Sequence, residues 1–113
     1  MLTVILLTAT LSAEQMTGAD EFFRKCGQTA AIAEYAGDAQ PGLENSMLIG
    51  AEKLGADADQ LPFLRGAFRA GYQDRMKAMG HNAMSDKLEM RQLAANLVWP
   101  RWRETLAICR KLY

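Results

Sequence analysis

Residues 61–80 read LPFLRGAFRAGYQDRMKAMG. Leu61, Leu64, Phe68, Tyr72, Met76 and Met79 recur at spacings of three and four, so they fall on one face of a helix. Pro62 lacks an amide hydrogen and is tolerated only in a first turn, which sets the helix start near Asp59 to Leu61. Gly80 ends it. Gly66 and Ala70 are four apart and Gly71 adjoins them, so the spacing predicts a close approach of a neighbouring backbone there.

The same period extends in both directions. Upstream, Ala56 to Gln60 is an acidic loop in which Asp57 or Asp59 supplies the next N-cap. Before it, Leu43, Met47, Leu48, Ala51 and Leu54 make the stripe of a shorter helix that follows Pro41 and stops at Gly55. Earlier still, Ala19, Phe22, Phe23, Cys26, Ala30 and Ala33 form a third stripe. Thr17 is its expected cap, with Asp20 three residues on, and Gly37 with Asp38 to Gly42 is its stop. Gly27 lies inside that helix and predicts a second close contact.

Downstream, His81 and Asn82 read as a turn and Ser85 as a cap. Leu88, Ala95, Trp99, Trp102, Leu106, Cys109 and Tyr113 then continue a stripe through Pro100. Proline clashes with the carbonyl four residues back, so a kink is expected near Leu97 to Pro100, with a last helix from Pro100 to about Leu112. β-branched residues are scarce and period-two alternation is absent. The fold class is therefore all-α: a small single-domain bundle of four to five helices.

Composition agrees with one globular domain. The 113 residues are 50% hydrophobic and 23% charged, too apolar for disorder and too few for two cores. No apolar run reaches about 18 residues, which argues against a polytopic membrane protein. The formal net charge is zero, which argues against a nucleic-acid partner. The charge is nevertheless segregated. Residues 14–60 carry nine acids against three bases, and residues 61–113 carry four acids against ten bases. Either the halves pair their charges across the bundle, or the polarity steers a partner or drives self-association.

Residues 1–13, MLTVILLTATLSA, are uncharged, apolar in the middle and small-residued at the end, the shape of a secretory core with a cleavage site. The basic leader is missing and Leu11 is a poor residue three places before a cut at Ala13. We read 1–13 as a signal-like or anchor segment and 14–113 as the helical domain. Export to a periplasmic or extracellular space is the expectation; retention as a membrane anchor is the alternative. Cys26 and Cys109 sit near opposite ends of the domain, too far apart in sequence for a redox pair, and an even count in a small exported domain predicts one disulfide. It would clasp the first mature helix to the last.

Catalytic signatures are scarce. His81 is the single histidine, and no HExxH, GxSxG or glycine-rich phosphate loop occurs. Asp57 and Asp59 resemble the start of a calcium loop but lack its glycine and distal glutamate. Glu34 and Asp38, one turn apart, could form a carboxylate pair. No catalytic residue, metal or cofactor is expected.

The unusual composition is Trp99-Pro100-Arg101-Trp102-Arg103. Trp99, Arg101, Trp102 and Arg103 read as a candidate contact surface for an acidic protein face or lipid headgroups, against the plainer reading of core tryptophans with arginines extending around them. The expectation is a small exported, non-enzymatic protein that binds another protein. The alternative is a membrane-associated accessory protein that keeps its N-terminal segment.

Overall fold

A computed structural model describes residues 10–80 and 87–111. It contains helices α1 (Ala13–Tyr35), α2 (Leu43–Lys53), α3 (Leu61–Gly80), α4 (Leu88–Val98) and α5 (Trp102–Arg110), with no strand among the described residues. The all-α bundle expected from periodicity is the fold. The turn expected at His81 and Asn82, the cap expected at Ser85, and Tyr113 lie outside the described residues.

Helix α1 starts four residues before the expected Thr17. Its cap is Ser12: the Ser12 hydroxyl accepts from the Gln15 amide at 3.1 Å, and the Gln15 side-chain oxygen accepts from the Ser12 amide at 2.8 Å. Thr17 lies inside the helix and donates its hydroxyl to the Ala13 carbonyl. The residues before the cap are tied to the α2–α3 loop. Gln60 accepts from the Leu11 amide at 3.0 Å and donates to the Leu11 carbonyl at 2.8 Å. Thr10 donates to Asp57 at 2.8 Å. That bond, ahead of others from the Gln60 and Asp59 amides, holds the Asp57 carboxyl below its usual range. Asp57, rather than Asp59, is the acceptor in the turn that leads into α3, taking the Asp59 and Gln60 amides.

The stops fall at the expected glycines. Gly37 and Gly55 have φ of +86° and +116°, a region that only glycine enters without strain. Between them, α2 buries Leu43, Met47, Leu48 and Ala51, but Leu54, counted in its stripe, is exposed. Phe23, Met47, Leu64, Cys26 and Cys109 form the fully buried centre.

Helices α1 and α3 cross with their backbones touching. A Cβ on Gly27 would overlap the Phe68 carbonyl oxygen, and a Cβ on Gly71 would overlap the Arg24 carbonyl oxygen. Gly66, the other glycine expected at a close contact, faces open space; one residue is a rotation of about 100°, and periodicity alone does not fix which small residue meets the partner. Phe68 is 6% exposed and also walls an open cleft. Phe68→Ala is therefore expected to cost about 3 kcal/mol, the low end for a buried phenylalanine, because solvent can enter the space it leaves. Urea unfolding followed by circular dichroism measures it.

The chain breaks at Pro100 as expected. Trp99 caps α4 with φ −129° and ψ 67°, and α5 begins two residues after the proline. Helix α5 returns to α1, where Cys26 and Cys109 form a disulfide with Cα atoms 5.9 Å apart. Glu44 of the acidic half is bracketed by Arg69 at 2.8 Å and Arg65 at 3.6 Å, so the two halves do pair part of their charge.

Candidate functional site

The break at Pro100 builds a corner, and the four residues singled out there part company. Trp102 is 3% exposed and belongs to the core, with its indole N–H donating to Asn96 at 3.0 Å. Its ring continues the Leu106 and Cys109 stripe into the interior and at the same time lines the groove at the corner. Trp99 is half-buried, with the Arg75 guanidinium 5.0 Å above its ring. Arg103 lies 4.5 Å over Trp102 and donates to the same Asn96 oxygen at 2.8 Å. Arg101 is exposed and paired with Glu104 at 2.9 Å.

Trp99, Arg101, Trp102 and Arg75 line a groove of about 330 Å³ between α1, α3 and the α4–α5 corner, whereas Arg103 does not line it. Its floor is Ile32, Trp99, Pro100 and Trp102. Three cations from three elements line it, Lys25 of α1, Arg75 of α3 and Arg101 at the corner, and no carboxylate is among its lining residues. Positive charge over an apolar floor suits an anionic side chain or headgroup with an apolar stem. Of the four residues singled out in the sequence, Trp99, Arg101 and Trp102 line the groove and Arg103 does not, while Lys25 and Arg75 were missed. Their part depends on the α1–α3 crossing, which carries no local motif.

A second cleft, about 480 Å³, lies between α1, α2 and α3. Its polar groups are spent on one another. The Tyr72 hydroxyl donates to Glu34 at 2.7 Å, and the Arg69 guanidinium donates to Glu44 at 2.8 Å. Of the two carboxylates that could have formed a pair, Glu34 accepts from Tyr72, and Gly37 with φ +86° stands between it and Asp38. That bond to Glu34, with a lesser contribution from burial, pushes the Tyr72 phenol up to about 12. The phenol is therefore a proton holder at neutral pH, not a base. A raised folded-state pKa adds stability that is complete below the ordinary tyrosine value and is lost as pH rises toward 12. Absorbance titration at 295 nm should show one tyrosine ionising well after the others, and Tyr72→Phe should remove that late step.

No family model matches the chain, and no significant similarity to a curated protein or to a solved structure was found.

Among the described residues no group of three histidine, cysteine or acidic side chains could hold a metal ion, and no helix is long and apolar enough to cross a membrane. The disulfide is compatible with an oxidising, exported compartment.

Proposed function

We propose that this chain is a small exported, non-enzymatic helical protein that binds the acidic face of another protein through the basic groove at the α4–α5 corner. The observation that carries the reading is the lining of that groove: Lys25 and Arg75 converge on an apolar floor with no carboxylate in the lining, beside Arg101, which Glu104 pairs from outside it. Residues 1–13 would direct export, and the disulfide would persist in the compartment reached. The exposed rim charges set the rate of encounter and its salt dependence, while the Trp99 floor supplies the contact that outlasts encounter.

The test is affinity capture from the cell envelope with the native chain and with Lys25→Glu/Arg101→Glu. The expected result is a protein retained by the native chain, released by salt and lost from the variant. Identical retention by both forms overturns the groove as the site. Turnover of a metabolite by the purified chain overturns the non-enzymatic reading. Mass spectrometry of the native N-terminus separates export with cleavage from a retained anchor.

A further inference from the structure

Helix α4 is turned inside out. Apart from Leu88, which lies against Gly37, the side it presents to the end of α1 is polar: Arg91 donates to the Tyr35 carbonyl at 2.9 Å, and Gln92 donates to the Ala36 carbonyl at 3.2 Å. These carbonyls stand at the C-terminal end of α1, where no further turn supplies amides. Ala95 is the one α4 residue buried. The opposite side carries Met90, Leu93 and Leu97, exposed by 52%, 51% and 73%, with Val98 at 61% beside them. Their spacing of three and four is the seam of a helix that packs against another helix.

We infer that this face is covered by a second copy of the same chain, with the two α4 helices antiparallel about a twofold axis. Three observations favour a copy over a foreign partner or a lipid surface. The first is area. The outward apolar surface of Met90, Leu93, Leu97 and Val98 is on the order of 400 Å² per copy, a contiguous patch of the size that often marks a contact. Two copies cover on the order of 800 Å², the size of a weak, concentration-dependent interface. The second is charge. The stripe itself carries none, the whole chain has a net charge of zero, and copies approach without mutual repulsion. An anionic membrane would find no cation within the stripe. The third is polarity along the axis. Glu89 stands at the start of α4 and Arg101 just beyond its end. An antiparallel pair brings the Glu89 end of each copy to the Arg101 end of the other, and it opposes the two helix dipoles.

The pairing shares Arg101 with the basic groove, and its tests therefore substitute Leu97 and Glu89, which do not line the groove. In the dimer the two grooves would stand at opposite ends of the α4 pair, so one assembly would present two binding sites.

Sedimentation equilibrium of the disulfide-intact chain from 1 to 200 µM tests the inference. The expected result is a monomer–dimer equilibrium reaching twice the chain mass, with a dissociation constant on the order of 10 µM. Leu97→Glu should raise that constant at least 100-fold with an unchanged circular dichroism spectrum, since Leu97 is solvent-facing in the monomer. Glu89→Arg should raise it several-fold. Ile49→Glu, at a comparably exposed site on α2, should leave it unchanged. A chain that stays monomeric at 200 µM overturns the inference, as does a dimer insensitive to Leu97→Glu. Flotation of that monomer with phosphatidylglycerol vesicles would assign the face to lipid instead.

Discussion

Gly27→Ala is expected to lower the unfolding free energy by about 3 kcal/mol or more, while the identical change at Gly18 raises it by about 0.5–1 kcal/mol. Both glycines lie within α1, and alanine is the better helix former at each. The sign is decided by what stands across from them. Nothing lies within 4 Å of a Cβ built on Gly18, so that substitution only restricts the unfolded chain and extends the helix. At Gly27 the new carbon falls on the backbone carbonyl of Phe68, which has no rotamer by which to move away. Relief requires that α1 and α3 separate along the crossing, and that loosens Phe23 and Leu64 together. Gly71→Ala should behave like Gly27→Ala, because its obstruction is the Arg24 carbonyl on the facing helix, and Gly66→Ala should behave like Gly18→Ala. Chemical denaturation of the four single variants checks the pattern; a stabilised Gly27→Ala would mean the helices do not cross there.

Loss of the Cys26–Cys109 bond is expected to cost about 4 kcal/mol and to lower the melting temperature by about 15 °C. The two cysteines are 83 residues apart, so the bond removes a large share of the unfolded chain's freedom. Both side chains are fully buried at the α1–α5 contact, and Cys26→Ala/Cys109→Ala adds the loss of that packing. For a domain with a total stability of roughly 5–15 kcal/mol, the variant stands near the edge of folding at 37 °C. Non-reducing mass spectrometry of a digest should show one crosslinked peptide pair, and dithiothreitol should lower the thermal midpoint. Two free thiols in freshly isolated protein would overturn the bond and remove one support for export.

The stripes of α1 and α3 are legible in the sequence because one uninterrupted face of each helix is buried, and burial of one face is what a 3.6-residue period records. The break at Pro100 and the stops at Gly37 and Gly55 are legible for a local reason, since each rests on a single residue's backbone. Helix starts are less so. Ser12 with Gln15 and Thr17 with Asp20 present nearly the same pattern, and the choice between them depends on Gln60, which is distant in sequence and binds the backbone of Leu11. The orientation of α4 is not legible. Arg91 and Gln92 face inward because backbone carbonyls await them at the end of α1, and an acceptor made of backbone leaves no trace in residue type. The corner is legible in part: Trp102 lies inside because it continues the apolar stripe of Leu106 and Cys109, as the plainer reading had it, while Lys25 and Arg75 reach the groove only through the packing of other helices.

The slight anchoring of α4 has a consequence for amide hydrogen exchange. With Ala95 its only buried residue, and with Leu88 against Gly37 and two side-chain bonds in place of a continuous hydrophobic seam, α4 can open and close while the rest of the bundle stays folded. Helix α5 follows it in the chain yet is fastened covalently to α1, so the opening does not spread toward the C-terminus. Amides of α4 should thus exchange through frequent local excursions, whereas those around Gly27 and Gly71 should exchange only when the whole domain unfolds. A helix held this lightly surrenders little stability when it shifts to meet another surface.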